Sequence, residues 1–281
     1  MTIPNWDFVG TTIVTSSYVR LTPDEQSRRG SLWNSVPLFF RNWEVHLEFR
    51  VSGKGKDLFG DGMAFWYVKR PLTSGPVFGN EELFSGLGVF LDTYANQNGA
   101  HSHGHPYISA MVNNGSVRYD HDRDGTHSEL AGCESKFRGV DSDAYLSVRY
   151  EGDTLTVSTD VAGKNEWQEC FKVSGVHLPT GYYLGVSAAT GDLSDNHDVI
   201  SIKTYELEVS EADLKQGDRS SIVPSAETQA AAREHVHDPP TGSSVLKIFF
   251  IVVFSVVGLL ALVAAAFYFY QQRGVKKNRF Y

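Results

Sequence analysis

Three stretches of this chain crowd carboxylates and amides into short segments between apolar runs. They are Gly60-Asp61-Gly62, FLDTYAN (90–96) and YDHDRDG (119–125). A fourth, TGDLSDNHD (190–198), joins two apolar runs. Oxygen-rich loops suit a hard divalent cation, because Ca²⁺ takes roughly six to eight oxygens from carboxylates, amides, backbone carbonyls and water. Asp92 and Asn96 stand four apart with a backbone carbonyl between them, so one loop could supply several ligands and an Asp from another could complete the set. Each motif alone also reads as an ordinary turn, since Asp and Asn bond their own backbone there.

Other candidate chemistry is weaker. Asp120, Asp122, Asp124 and Gly125 match the first half of an EF-hand loop, but Ala131 stands where the bidentate Glu belongs and SVRY (116–119) before it reads as strand, so the EF-hand is rejected. His101, His103 and His105 alternate in AHSHGHPY and could bind a transition metal or sense pH, although a plain polar loop has the same composition. No GxSxG, HExxH or Walker loop is present, and no strand carries the ExDxxE spacing of sandwich glycosidases. The chain is therefore read as a binding protein and not an enzyme, with a glycan-processing hydrolase as the alternative. Asn114-Gly115-Ser116 is an N-glycosylation sequon.

The elements that must position these loops are strands. From about residue 5 to 209 short apolar or alternating runs follow one another: 43–51, 61–68, 86–94, 107–114, 144–150, 154–161, 182–190 and 199–209. Glu151-Gly152-Asp153 between two of them predicts a hairpin. No convincing 3.6-residue period occurs in this block, so the prediction is a single all-β sandwich or barrel. Residues 210–246 turn polar and rich in Pro, Gly and Ser, which predicts a flexible stalk.

From Ile248 to Tyr270 run 23 residues without a charge, enough to cross a hydrocarbon core as a helix. The tail behind carries Arg273, Lys276, Lys277 and Arg279 and no acid, which places it in the cytosol and residues 1–246 on the luminal side. All 33 acidic residues precede Lys247, so the luminal part is strongly acidic and unsuited to nucleic acid. Cys133 and Cys170, the two cysteines, read as one disulfide in an oxidising compartment, worth ~3–4 kcal/mol for a loop of this length; two free buried thiols are the alternative. The opening MTIPNWDFVG has no basic region followed by an apolar one, so the sequence is expected to begin downstream of its true start.

Nine strings in order carry a resemblance: SSYVRLTPDEQS (16–27), GDGMAFWY (60–67), FLDTYAN (90–96), YISAMVNNGS (107–116), YDHDRDG (119–125), ELAGC (129–133), NEWQEC (165–170), LPTGYY (178–183) and TGDLSDNHD (190–198). With the terminal Phe280-Tyr281 they resemble the leguminous-type (L-type) cargo lectins of the animal secretory pathway. The resemblance implies a concanavalin-like antiparallel β-sandwich over residues 1–209, a luminal stalk over 210–246, a transmembrane helix over 247–270 and a cytosolic tail over 271–281. It implies Ca²⁺-dependent binding of high-mannose N-glycans on cargo glycoproteins. The setting would be a single-pass type I membrane protein of the endoplasmic reticulum, intermediate compartment and Golgi.

Residue by residue, Asp92, Asn96, Asp124 and the main-chain carbonyl of Tyr94 match the family's Ca²⁺ ligands. Asp61, Asn96 and His121 match side chains that bond mannose, Gly191, Asp192 and Leu193 the loop that closes over it, and Ser27 a peripheral contact. Asn96 is expected to offer its NH₂ to the sugar and its oxygen to the metal. Cys133 and Cys170 match the family disulfide, and the family implies a cis peptide at Gly60–Asp61. Phe280-Tyr281 resembles an export signal read by coat proteins, while Asn278 and Arg279 stand where dilysine retrieval needs lysines.

Overall fold

The computed structural model describes residues 2–96, 103–214 and 217–227, and 253–255, 258–260 and 263–264 nearer the C-terminus. It divides into two units, Met1–Ala232 and Arg233–Tyr281.

The first unit is built of strands. In chain order these are β1 (Trp6–Gly10), β2 (Ile13–Val14), β3 (Val19–Thr22), β4 (Arg29–Asn34), β5 (Trp43–Ser52), β6 (Gly62–Val68), β7 (Ser85–Asp92) and β8 (Tyr107–Asn114). They continue with β9 (Ala131–Glu134), β10 (Ala144–Glu151), β11 (Thr154–Asp160), β12 (Gln168–Ser174), β13 (Val176–His177), β14 (Tyr183–Ala189), β15 (Asn196–Glu206) and β16 (Ser225–Ala226). One seven-stranded sheet has the order β1-β4-β14-β6-β7-β8-β9, and the other β12-β11-β10-β5-β15-β3-β2. The strand pairs are antiparallel throughout, as at β5–β10, β6–β7 and β7–β8. The predicted β-sandwich is thus the observed one. The predicted hairpin joins β10 to β11 through Gly152 and Asp153, both at positive φ, the twist that suits a two-residue turn.

Sequence pattern explains the layers. In β5 the alternation of Trp43, Val45, Leu47, Phe49 and Val51 with polar residues buries one face and leaves the other partly wet. β6 is buried at every position because its sheet is covered on both sides. Met63, Phe65 and Tyr67 enter the core between the sheets. Ala64, Trp66 and Val68 join a second cluster with Phe90 of β7 and with Phe78, Phe84 and Tyr119, which two long connections bring. A disulfide ties Cys133 on β9 to Cys170 on β12, joining the outer strands of the two sheets.

Two expectations need correction. SVRY (116–119) is not a strand: Asn113 accepts from the N–H groups of Gly115 and Val117 at 3.0 and 3.3 Å and donates to the Val117 carbonyl at 2.6 Å, turning the chain out of the ladder. The predicted stalk does not begin at residue 210. A one-turn helix α1 (Glu211–Leu214) follows the sandwich, and β16 then pairs with β13. Arg219 is buried, donates to Tyr150 Oη at 2.8 Å and to the Leu178 carbonyl at 3.3 Å, and pairs with Asp153. A polar stretch can be held by one arginine when its charge and its stem both find partners, which low hydrophobicity does not reveal.

In the second unit, 253–255, 258–260 and 263–264 are helical, with Phe254, Leu259 and Leu260 exposed. No helix among the described residues is long and apolar enough to cross a membrane. Most of the predicted span (247–270), the stalk beyond Glu227, and the tail with Phe280 and Tyr281 lie outside the described residues.

Candidate functional site

Strand register gathers the predicted residues at one end of the first sheet. Arg29 on β4 pairs with Ala189 on β14, Ala189 with Gly62 on β6, Gly62 with Asp92 on β7, Asp92 with Tyr107 on β8, and Tyr107 with Glu134 on β9. This row marks where six neighbouring strands end. Immediately beyond it lie Ser27, the 190–193 loop, Asp61, the 93–96 loop and His105.

Asp92 and Asp124 are both buried, at 4% and 6% exposure. Tyr94 N–H donates to Asp92 Oδ1 at 3.0 Å. Asn96 N–H reaches both oxygens of Asp124, at 3.2 and 3.1 Å. Asp124 is set by a tight turn with left-handed backbone, in which its N–H bonds the His121 carbonyl at 3.2 Å and Gly125 N–H bonds the Asp120 carbonyl at 2.8 Å. Gly125 is required there, because a Cβ would lie 2.3 Å from the Tyr119 ring. Burial, and then the neighbouring Asp124 charge, push the Asp92 carboxyl well above the ordinary range. Two acidic groups held together out of water are the donor set a cation would neutralise. The ligand atoms of Asp92, Asp124 and His105 lie within 4.8 Å of one another.

The expected division at Asn96 differs from the arrangement seen. Its Nδ2 donates to Asp124 Oδ1 at 2.7 Å and to the His121 carbonyl at 2.8 Å, so the amide faces the carboxylate with nitrogen and not oxygen. The reason is local: Asp124 is an acceptor only, and Asn96 is the amide beside it.

Asp61 follows a cis peptide at Gly60–Asp61, as the resemblance implied. Its carbonyl accepts from the N–H and hydroxyl of Thr93, each at 3.0 Å, and its N–H bonds the Ala189 carbonyl at 3.3 Å. Burial raises its carboxyl, while His121 and a hydrogen bond from Gly191 N–H act the other way. Gly191 approaches so closely that a Cβ would stand 3.0 Å from Asp61 Oδ1. At Gly60 a Cβ would meet Tyr94 Cβ at 3.2 Å and Leu193 Cβ at 3.6 Å. The His121 ring packs edge-on against Phe78, with centroids 5.3 Å apart.

The 190–193 loop is tied to the chain around Ser27. Ser27 N–H donates to the Gly191 carbonyl at 3.0 Å, Gln26 Nε2 to the Asp192 carbonyl at 2.7 Å, and Thr190 Oγ1 to the Glu25 carbonyl at 2.6 Å. Asp61, Asn96, His121, Gly191, Leu193 and Ser27 therefore belong to one neighbourhood. Thr93, Gln26 and Phe78 support it and were not singled out by sequence, since each acts through a contact distant along the chain. Of the three histidines, His103 stacks on Tyr107 at 3.5 Å, His105 faces the carboxylate pair, and His101 lies outside the described residues. Asn114 is exposed at the far end of β8, away from this site.

An antiparallel sandwich with an acidic pair and a polar pocket at one sheet end is the arrangement of a legume-type lectin. The model of the legume-like lectin family matches residues 1–213, and the chain belongs to that family. It is similar to the vesicular integral-membrane protein VIP36 of Canis lupus familiaris, 47% identical over 287 residues that cover 99% of this chain and 80% of that protein. The VIP36 exoplasmic/lumenal domain solved in its Ca²⁺/Man-bound form shares 52% identity at a TM-score of 0.77, covering 82% of this chain and 93% of that one. The same domain in its Ca²⁺/Man3GlcNAc-bound form shares 54% identity at 0.77, covering 80% and 92%.

Proposed function

We propose that this chain is a Ca²⁺-dependent mannose-binding lectin that receives high-mannose N-glycoproteins as cargo in transport or quality control between endoplasmic reticulum and Golgi. The observation that carries this reading is the coupling of an acidic pair to a hydroxyl-binding pocket: Asn96 bonds both Asp124 and the His121 carbonyl, while Gly191 bonds Asp61. The Ca²⁺- and mannose-bound forms of VIP36 support it, at more than half identity and across four-fifths of this chain.

Asp92, Asp124, Asn96 through its amide oxygen and Tyr94 through its carbonyl would hold the ion. Bound there, Ca²⁺ supplies charge that fixes the two acidic loops against each other. Asp61, Asn96 and His121 bond sugar hydroxyls, which are donors and acceptors alike. Gly191, Asp192 and Leu193 close one wall and Ser27 lies at its rim. With its amide oxygen toward the ion, Asn96 would have Nδ2 available for a sugar hydroxyl.

The polar segment beyond Glu227 serves as the luminal stalk, 247–270 as a single transmembrane helix of type I topology, and 271–281 as the cytosolic tail whose Phe280-Tyr281 engages coat proteins. The uncharged run of 23 residues and the exposed apolar side chains at Phe254, Leu259 and Leu260 support the span. The name of the related vesicular integral-membrane protein agrees with a membrane setting. Asn114, exposed with its sequon intact, is the glycan acceptor. A glycan-processing hydrolase is not favoured, because the buried carboxylates face each other as a cation site would and not across a sugar.

A glycan array run on the full chain with Ca²⁺ and with chelator tests the proposal. Oligomannose captured with Ca²⁺ and lost with chelator supports it. Capture indifferent to Ca²⁺, or product released from a labelled oligosaccharide, overturns it.

A further inference from the structure

One cation reaches the root of both walls of the hydroxyl-binding pocket. Phe137 is fully buried against Phe49, and Gly139 N–H bonds the Val51 carbonyl at 2.9 Å, so the chain between β9 and β10 is pinned to the end of β5 on either side of Arg138. The Arg138 guanidinium donates through Nε to Asp195 Oδ2 at 2.8 Å and through Nη2 to Asp195 Oδ1 at 2.7 Å, a bidentate pair. The same Nη2 reaches the Gly55 carbonyl at 2.8 Å, and the guanidinium carbon lies 3.7 Å from the centre of the Phe59 ring. The Arg138 side chain is 10% exposed and that of Asp195 0%.

Asp195 follows the Gly191–Leu193 loop, and Phe59 precedes Gly60 and Asp61. The walls meet at two close approaches, Gly191 on Asp61 and Leu193 on Gly60. Asp24 adds a second tie between the same segments, since Oδ1 accepts from Ser194 Oγ at 2.6 Å and Oδ2 from Lys54 N–H at 2.9 Å. A Cβ at Gly53 would stand 2.2 Å from Asp195 Oδ1, so glycine is what lets these segments come so near. Stability alone would ask only for the Asp195 partner; the contacts to Gly55 and Phe59 give the same cation a hold on the other wall. Lysine would supply the charge but neither the fork nor the flat face. Groups that bind a ligand must be held within about half an ångström of their productive places, and supports of this kind hold them. We infer that Arg138 is a positioning residue for carbohydrate binding, which acts through Asp195 and Phe59 to fix the Gly191–Leu193 loop and Asp61 at the spacing a mannose ring requires. The inference rests on the mannose reading of that pocket, but the link between the walls can be tested without sugar.

The full chain is titrated calorimetrically with oligomannose at saturating Ca²⁺, well below its thermal midpoint, and hydrogen exchange is followed in 53–61 and 190–196 with no sugar present. Arg138→Lys should weaken oligomannose by about tenfold or more. Its Ca²⁺ affinity should move by less than about threefold. Both segments should exchange faster than in the parent, while β10 should exchange as before. Phe59→Leu keeps the pair with Asp195; it should weaken oligomannose in the same direction and covers the case in which Arg138→Lys does not fold. Arg20→Lys opens an equally close pair, with Asp198 on β15, and should change neither oligomannose nor Ca²⁺.

Unchanged oligomannose affinity in either variant that folds overturns the inference, even where the thermal midpoint falls. So does a loss of Ca²⁺ equal to the loss of sugar, or an Arg20→Lys chain as impaired as Arg138→Lys. In those outcomes oligomannose capture by the unsubstituted chain leaves the lectin reading standing. An unsubstituted chain that refuses oligomannose removes that reading, and the inference as a statement about sugar falls with it. The exchange rates of the two segments then still decide whether Arg138 ties the walls together.

Discussion

The side-chain amide of Asn96 donates to Asp124 Oδ1 at 2.7 Å, 28 residues further along the chain, and the same nitrogen reaches the His121 carbonyl. The loop after β7 and the turn before β9 are thereby one mechanical unit. Whatever binds the acidic pair is felt by the loop around His121, and whatever contacts Asn96 is felt by the acidic pair.

Removing one carboxylate should uncouple the two. With Asp92→Asn or Asp124→Asn, calorimetry should detect no Ca²⁺ uptake and the array no oligomannose. For the unsubstituted chain, Ca²⁺ at a hundred times its Kd should add about 2.7 kcal/mol of stability, read as a rise in thermal midpoint that both variants lack. In chelator the variants should be at least as stable as the parent, because one of two buried like charges is gone. An Asp92→Asn chain that still captures oligomannose would sink the metal assignment.

The sugar pocket should be separable from the ion. Asp61→Asn keeps the shape but loses a charged acceptor, which is worth ~1.5–3 kcal/mol, or about ten- to a hundredfold in affinity. Ca²⁺ uptake should be unchanged. Gly191→Ala should weaken mannose similarly, since its Cβ would press on Asp61 Oδ1 at 3.0 Å. Equal loss of Ca²⁺ and mannose in Asp61→Asn would place Asp61 in the metal site and refute its role here.

His197 makes the sandwich sensitive to acid. The ring is fully buried on β15, between β3 and β5, with Nδ1 2.7 Å from Thr22 Oγ1 and Nε2 without a hydrogen-bond partner among the described residues. The Thr22 hydroxyl donates to the Asp195 carbonyl at 3.3 Å, which assigns the hydrogen to Nδ1. Burial first, and then the Arg138 charge, lower its pKa from 6.5 to about 3. The charged groups nearby are Asp195 paired with Arg138 and Asp198 paired with Arg20. Above pH 6.5 the ring is neutral folded or unfolded, and its contribution is complete. As pH falls toward 3 the unfolded chain takes up the proton first, and stability drops by up to ~1.4 kcal/mol per unit. Urea midpoints between pH 7 and 4.5 should fall less steeply for His197→Gln than for the parent. Parallel slopes would show that His197 is not the group responsible.

The domain boundary can be tested by truncation. A chain ending at residue 232 should keep the thermal midpoint of the first unit, whereas one ending at 209 loses Arg219 and exposes Tyr150 and Asp153. Arg219→Ala in the longer chain should cost about 1–3 kcal/mol, because Tyr150 and Leu178 lose a charged donor while Asp153 keeps part of its contact with water. Equal midpoints for the two truncations would return residues 210–227 to the stalk.

Much of this protein was legible before any fold was known. Strand alternation in 43–51, the turn at Gly152-Asp153 and the even cysteine count each follow from local rules of pleat, φ and redox chemistry. The clusters around Asp61, Asp92, Asp124 and Gly191 were visible as oxygen-rich loops, and nine ordered strings suggested the roles proposed for them. The long connections that bring Phe78, Phe84 and Tyr119 onto the outer face of the first sheet carry no periodic signal, so their part in the core was not legible.

What sequence alone determined was the set of available ligands and the strands that carry them, because side-chain chemistry and two-residue periodicity are local properties. Tertiary structure decided which ligands meet. The register Ala189–Gly62–Asp92–Tyr107 aligns segments up to 127 residues apart into one row, and only that row sets His105 beside Asp92, or Gly191 beside Asp61. The Asn96 amide turned toward Asp124, and Arg219 folded back on Asp153, are likewise choices among partners that become available only when distant segments share one environment.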